Sequence, residues 1–104
     1  MKIRTVIADD EEPARNELFF QLAQLEDVEV VGQATNGLEA LELIESLRPD
    51  LSLLDVQMPG LTGFELVRAL VAKKINSQVV FVTAYDRCAI EAFKINAVDY
   101  LLKP

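Results

Sequence analysis

The sequence Leu51-Ser52-Leu53-Leu54-Asp55-Val56-Gln57-Met58-Pro59-Gly60 decides the fold. Three of its first four residues are apolar and unbroken by charge, which predicts a short strand covered on both faces. The run ends at a carboxylate, and the Pro-Gly pair that follows predicts a turn. The segment therefore predicts a buried strand that delivers Asp55 to one edge of a sheet.

Other apolar segments end in the same way, with polar groups at their carboxyl ends. These groups are Asp9 and Asp10 after residues 5–8, Thr83 after residues 79–82, and Lys103 after residues 98–102. In an open parallel sheet the carboxyl ends of the strands lie side by side, and ligands bind along that edge. Because neighbouring carboxylates repel each other unless a cation compensates them, the set predicts a site for a divalent cation and a phosphoryl group.

Helical patterns separate the predicted strands. We expect helices over about residues 12–25, 38–47 and 62–74 and another after a cap at Asp86, with a second strand over residues 28–31. The expected inward residues are Ala14, Leu18, Leu22 and Leu25, then Leu38, Leu41, Ile44 and Leu47, and finally Ile90 and Phe93. Asn36 and Thr62 each precede a glutamate by three residues, which is typical of a capped helix start. Strands that alternate with helices predict an α/β fold with a parallel sheet.

Composition limits the possible functions. The chain has 104 residues and predicts one domain, and its net charge of −7 disfavours nucleic-acid binding. It has no histidine and a single cysteine, Cys88, so it lacks the usual ligands of a zinc site and cannot form an internal disulfide. No apolar stretch approaches a membrane span, and Met1 leads directly into the first strand without a signal peptide. We expect a cytoplasmic protein.

A simpler interpretation exists for the first acidic run. Asp9, Asp10 and Glu11 precede a helix, and carboxylates at that position often cap the helix and interact with its positive end. Asp55, Thr83 and Lys103, each expected at the end of its own strand, favour the cation and phosphoryl site over capping alone.

These motifs together resemble the receiver domain of two-component response regulators. The matching segments are residues 9–11, residues 53–60 with Gly63, residues 82–84 and residues 103–104. The resemblance implies a flavodoxin-like, doubly wound sheet of five parallel strands in the order 2-1-3-4-5. It extends over residues 1–104 as one receiver domain, without the helix that normally follows the fifth strand.

The resemblance also implies the site chemistry. Asp55 would accept a phosphoryl group from a sensor histidine kinase, and Mg²⁺, or Mn²⁺ as a substitute, would assist. Asp10 would bind the ion directly, Asp9 mainly through water, and Gln57 through its backbone carbonyl. Apart from self-phosphorylation and dephosphorylation, no turnover of an external substrate is expected.

A second group of residues is implied to bind the phosphoryl group and to switch. These residues are Thr83 and Lys103 as phosphate ligands, Ala84 as a small neighbour, Tyr100 as a rotating aromatic ring, and Pro104 after a cis peptide bond. The alternative for Tyr100 is simple packing beside the last strand.

Finer sequence features resemble the LytTR-type regulators. They occur in residues 9–15, residues 83–93 and residues 97–104. Such proteins usually carry a DNA-binding output domain after the receiver, so we expect a role in transcription regulation, with a stand-alone phosphate-relay module as the alternative.

Other function classes fit less well. A phosphatase of the haloacid dehalogenase type would need an aspartate two positions after Asp55, where this chain has Gln57. A receiver that switches without phosphate would have lost an acidic or phosphate-binding residue, and none is lost. A dinucleotide enzyme would need a Gly-x-Gly-x-x-Gly motif after the first strand, and none is present.

The missing last helix suggests a bare apolar surface. Without it we expect the sheet around Val80, Val82, Val98 and Leu101 to be exposed on one face, over roughly several hundred Å², a size that marks an interaction site. We therefore expect the chain to be part of a longer protein and to self-associate, most simply as a dimer, through this face.

Overall fold

The computed structural model describes residues 2–83 and 99–102, with the backbone alone for Thr83 and for residues 99–102. Strands and helices alternate along the chain through residue 83. The elements are β1 (Ile3–Ala8), α1 (Glu12–Ala23), β2 (Val28–Ala34), α2 (Gly37–Leu47), β3 (Leu51–Leu54), α3 (Gly63–Ala72), β4 (Gln78–Thr83) and β5 (Asp99–Leu102).

The strands form one parallel sheet in the order β2-β1-β3-β4-β5. The chain places β2 on one side of β1 and then β3 on the other, so the direction of winding reverses at β1. The predicted order of the first four strands is confirmed, and the backbone of β5 lies beside β4. Such a reversal opens a crevice between the strand ends, which is where ligands bind in sheets of this type.

One face of the sheet carries a continuous hydrophobic core. Helices α2 and α3 cover it, and Ile44 and Leu66, one from each helix, are completely buried. Phe81 of β4 lies in the same core and packs edge-on against Phe64, with ring centroids 5.1 Å apart. This face holds most of the buried apolar residues of the described chain.

The opposite face is covered more thinly. Right-handed crossovers that run in opposite directions place α1 on the other side of the sheet from α2. Ile7 and Leu53 are buried on this side, yet no residue of α1 itself is buried. Phe20 of α1 is 62% exposed.

Two predicted helix starts are confirmed by their caps. The Asn36 side chain accepts a hydrogen bond from the backbone N–H of Glu39 at 2.8 Å. Thr62 and Glu65 form a reciprocal capping box, with distances of 3.0 and 3.1 Å. Each cap satisfies backbone N–H groups that have no partner within the helix.

Two of the predicted inward residues are wrong. Leu25 lies beyond the end of α1 and is exposed, because the helix stops at Ala23. Leu38 is also exposed, since the buried side of the first turn of α2 is formed by Gly37 and Ala40.

Several expectations concern residues that the structure leaves undescribed or describes in part. Val80 and Val82 are half-buried, while Val98 and the side chain of Leu101 lie outside the described residues. The predicted helix after Asp86, with Cys88, Ile90 and Phe93, lies there too. Among the described helices, none has the length and hydropathy needed to cross a membrane.

Candidate functional site

The ends of β1, β2 and β3 are tied together by backbone hydrogen bonds. The N–H of Asp55 donates to the carbonyl of Ala8 at 2.9 Å, and the N–H of Asp9 donates to the carbonyl of Ala34 at 3.1 Å. Each bond extends a parallel ladder by one residue past the strand end. The two aspartates therefore leave the sheet side by side, as the sequence predicts.

Three carboxylates meet at this edge. One oxygen from each of Asp9, Glu11 and Asp55 lies within 4.8 Å of the other two. Asp9 is 5% exposed and Asp55 is 7% exposed, whereas Glu11 is open to solvent. The Asp9 carboxylate also accepts a hydrogen bond from the backbone N–H of Glu11 at 2.9 Å, which holds the connection to α1 over the site.

The third carboxylate of this group belongs to Glu11, whereas the sequence analysis named Asp10 as the residue that binds the ion directly. The side chain of Asp10 is exposed and is not among the three grouped carboxylates. Asp10 lies in a bend after β1, and the hydrogen bond from the Glu11 N–H to the Asp9 carboxylate holds Glu11 beside Asp9. Strand alternation does not extend through this bend, so no simple spacing in the sequence identifies Glu11.

The loop between β3 and α3 begins at the site. Gln57 is exposed, and its backbone N–H approaches the Asp55 carboxylate at 3.4 Å. Gly60 has a φ of 84°, a conformation that side-chain-bearing residues rarely adopt, so the Pro59-Gly60 turn needs its glycine. The prediction that the Gln57 carbonyl binds a metal ion remains a prediction.

Gly63 lets α3 approach the back of Asp55. A Cβ atom on Gly63 would lie 2.6 Å from the Asp55 carbonyl oxygen and 2.9 Å from the Phe81 ring. The N–H of Gly63 donates to the Val56 carbonyl at 2.7 Å. The first turn of α3 thus holds the backbone of Asp55 in place.

Arg15 is a contributor that the sequence analysis missed. Its guanidinium donates to the backbone carbonyl of Asp9 at 2.9 Å from the second turn of α1. This contact joins α1 to the end of β1. An arginine four residues after Glu11 returns to the start of a helix, a spacing that could have suggested the contact.

The donor set suits a hard divalent cation. Asp9, Glu11 and Asp55 offer carboxylate oxygens, the ligand type that Mg²⁺ prefers, and two of them are buried. The simpler capping interpretation holds in part, because the Asp9 carboxylate accepts the N–H of Glu11 before α1, whereas Glu11 at the N-cap makes no side-chain capping bond. Backbone N–H groups beside the Asp9 and Asp55 carboxylates account for part of this grouping, and a cation between the carboxylates would offset their mutual repulsion.

The remaining predicted site residues can be located only in part. The backbone of Thr83 ends β4 and is in register with Leu102 of β5, at the same edge as Asp55. The Thr83 and Tyr100 side chains lie outside the described residues, as do Ala84, Lys103 and Pro104 with its predicted cis peptide bond.

Known proteins share both the sequence and the fold. The family model described as the response regulator receiver domain matches residues 5–104. The chain is 48% identical over 102 residues to an uncharacterized response regulatory protein of Vibrio cholerae, a match that covers 98% of this chain and 43% of that protein. It is 43% identical over 102 residues to the transcriptional regulatory protein BtsR of Salmonella typhi, with 98% and 42% covered. It therefore spans less than half the length of these curated relatives.

Solved structures agree with the sequence relatives. The receiver domain of the putative response regulator NarL from Mycobacterium tuberculosis superposes with a TM-score of 0.89 at 34% identity, covering 96% of this chain and 83% of that one. The response regulator domain of Thermotoga maritima CheB gives a TM-score of 0.88 at 34% identity, covering 100% and 80%. With its sheet order, its acidic edge and these matches, the chain belongs to the response regulator receiver domain family.

Proposed function

We propose that this receiver accepts a phosphoryl group on Asp55 in a Mg²⁺-dependent reaction and passes the signal on by switching conformation. The observation that carries the proposal is the meeting of Asp9, Glu11 and Asp55 oxygens within 4.8 Å at the carboxyl edge of the sheet. A carboxylate at that edge faces the crevice where ligands of doubly wound folds bind.

In phosphoryl transfer the protein contributes mainly by positioning the reacting groups and compensating their charge. An oxygen of the Asp55 carboxylate forms a bond to phosphorus while the bond between phosphorus and the donor breaks, which leaves an acyl phosphate on the aspartate. Such transfers pass through a loose transition state, so alignment and charge compensation account for most of the rate. Bound Mg²⁺ supplies positive charge that offsets the phosphoryl oxygens. The hydrogen bonds from Asp55 and Gly63 to Ala8 and Val56 hold the acceptor backbone still.

The proposed metal ligands are Asp55, Asp10, Asp9 through water, and the Gln57 carbonyl. The Asp10 assignment comes from the family resemblance, and the grouped position of Glu11 makes that residue the competing ligand. Measuring Mg²⁺ affinity in Asp10→Asn and Glu11→Gln variants separates the two. The larger loss identifies the ligand, and a larger loss for Glu11→Gln would overturn the Asp10 assignment.

Switching is proposed to follow from the new charge on Asp55. Thr83 and Lys103 would bind the phosphoryl oxygens beside Ala84, and the Tyr100 ring would turn into the space that Thr83 leaves. A ligand shifts such an equilibrium only by binding one state better, and the phosphoryl group does so through these two side chains. The strand order is consistent with this, since β4 and β5 are neighbours and Thr83 ends β4.

The wider role is proposed from the relatives. The phosphoryl donor would be a sensor histidine kinase, in the cytoplasm, and no external substrate would be turned over. The whole protein would regulate transcription through a LytTR-type DNA-binding domain. Support comes from the relatives named transcriptional regulatory protein, which are more than twice as long as this chain. A stand-alone relay receiver is the second candidate.

Self-association is proposed through the face that carries Val80 and Val82. Both side chains are only half-buried although they belong to an inner strand of the sheet. A second copy of the chain laid on this face would remove that apolar surface from water. Sedimentation at increasing concentration should show a dimer, and a monomer at all concentrations would contradict the proposal.

The phosphorylation step is tested by incubating the chain with acetyl phosphate and Mg²⁺ and measuring its intact mass. One added phosphoryl group is expected, and none with EDTA present. The Asp55→Asn variant, which keeps the shape of the side chain and removes its nucleophilic carboxylate, should remain unmodified. Equal labelling of that variant would show that Asp55 is not the phosphoryl acceptor.

A further inference from the structure

The corner between β2 and α2, residues 34–38, touches both sides of the acidic site. At its start the carbonyl of Ala34 accepts the hydrogen bond from the N–H of Asp9 at 3.1 Å. At its end the N–H of Gly37 approaches the carbonyl of Pro59 at 3.3 Å, in the loop that carries Gln57. One short segment is therefore bonded to the β1 side of the site and to the β3 side.

Gly37 leaves no space between the corner and this loop. A Cβ atom on Gly37 would lie 2.5 Å from the Leu61 Cβ atom and 2.8 Å from the Leu61 carbonyl carbon, and it would also overlap the Leu61 oxygen. Most of these are backbone atoms, which cannot move aside as the end of a flexible side chain can. The Leu38 side chain lies beside the same turn, since its Cγ atom would be 3.8 Å from a Cβ added at Gly60.

Hydrogen bonds within the corner hold its backbone in one arrangement. Asn36 accepts the N–H of Glu39 at 2.8 Å, and the Glu39 carboxylate returns to accept the N–H of Thr35 at 2.6 Å. Gly37 itself is fully enclosed, at the first turn of α2. A Cβ atom added at Gly37 would therefore press on the loop at Leu61 from a corner that is held by its own hydrogen bonds.

We propose that Gly37 is a positioning residue for the acidic site, acting through the Pro59–Leu61 contact to set where the Gln57 backbone lies relative to Asp55. The role rests on the proposed function, since it concerns the same Mg²⁺ and phosphoryl site. Gln57 is two residues from both Asp55 and Pro59, so a shift at the turn reaches its carbonyl directly. Mutation of groups that orient metal ligands from behind typically lowers metal affinity by roughly 10- to 100-fold.

The test compares three variants of the chain. Gly37→Ala introduces the overlap with Leu61. Leu38→Ala only shortens the side chain that lies beside the Gly60 turn, and because Leu38 is 56% exposed this variant folds even if Gly37→Ala does not. Gly32→Ala is the matched control, since its new Cβ would meet only the side-chain ends of Leu43 and Leu47, at 3.2 to 3.7 Å and away from the site.

Two measurements are made on each variant. Titration calorimetry gives the Mg²⁺ affinity, and amide chemical shifts in the metal-free chain report whether Asp55 and Gln57 have moved. We expect Gly37→Ala to weaken Mg²⁺ binding about tenfold and to shift both amides, Leu38→Ala to weaken it about twofold, and Gly32→Ala to leave both readings at the wild-type values.

Each outcome decides the matter. Equal losses in Gly37→Ala and Gly32→Ala would mean a general packing effect and would overturn the proposal, as would unmoved Asp55 and Gln57 amides. If Gly37→Ala fails to fold, wild-type affinity and shifts in Leu38→Ala overturn it. If the wild-type chain binds no Mg²⁺, the proposed function fails, while the metal-free amide shifts still show whether Gly37 positions the loop.

Discussion

The two faces of the sheet are built very differently. On one face, Ile44 of α2 and Leu66 of α3 are completely buried. On the other face, α1 has no buried residue and exposes Phe20. Stability in the described part of the chain therefore comes mainly from one face. The acidic site lies at the edge of the sheet between these two faces. Asp9 is followed along the chain by α1 on the thinly covered face, and Asp55 is followed by α3 on the densely packed face.

The largest expected effect is on the tightly packed face. Ile44→Ala should lower the free energy of unfolding by about 2–5 kcal/mol, because it removes buried methyl groups and leaves a cavity. Leu22→Ala in α1 is the matched control, and since Leu22 is half-buried its loss should be about 1 kcal/mol. Urea denaturation measures both, and equal losses would abolish the contrast between the faces.

The next effect concerns the side of the site that leads into α1. Asp9→Asn should weaken Mg²⁺ binding about tenfold, as removal of a buried charged oxygen from the cluster requires. Glu12→Gln, an exposed carboxylate at the start of α1 outside the cluster, should change it less than about twofold. Calorimetric titration separates the two, and a similar loss for both would mean that only overall negative charge attracts the ion.

The cap of α3 should matter less than the core beneath it. Thr62→Ala removes the hydroxyl that accepts the Glu65 N–H and should cost about 1 kcal/mol of unfolding free energy. Thr62→Ser keeps the hydroxyl and should cost less than half of that. Thermal unfolding followed by circular dichroism measures both, and indistinguishable variants would show that packing alone fixes this helix start.

The smallest effect is expected on the thinly covered face. Phe20→Ala should change the free energy of unfolding by no more than about 0.5 kcal/mol, because most of that ring already contacts water. A loss that grows with protein concentration would show instead that a second copy covers Phe20. Denaturation at two protein concentrations makes the distinction.

Local patterns account for most of what the sequence could predict. The apolar run ending at Asp55 and the pairs Asn36-Glu39 and Thr62-Glu65 each act within a few residues, so β3 and the two helix caps were predicted correctly. The outward turn of Leu38 and the grouping of Glu11 with Asp55 depend on neighbours from distant parts of the chain. Periodicity carries no information about those neighbours. Within α1 it was a good guide, because Ala14, Leu18 and Leu22 form the half-buried side of the helix and only Leu25, beyond its end, is exposed.

The central position of β1 links the site to the order in which the chain folds. This first strand pairs with β2 on one side and with β3 on the other, so the edge that faces β3 remains open until residues 51–54 have been synthesised and docked. Pairings between distant segments form slowly because the intervening loop must close first. Asp55 can face Asp9 only after that step, and an unfinished or misfolded chain has no acidic site. Phosphate acceptance would therefore report that β1 and β3 have paired, and an ion that binds only the folded state would in turn stabilise that state.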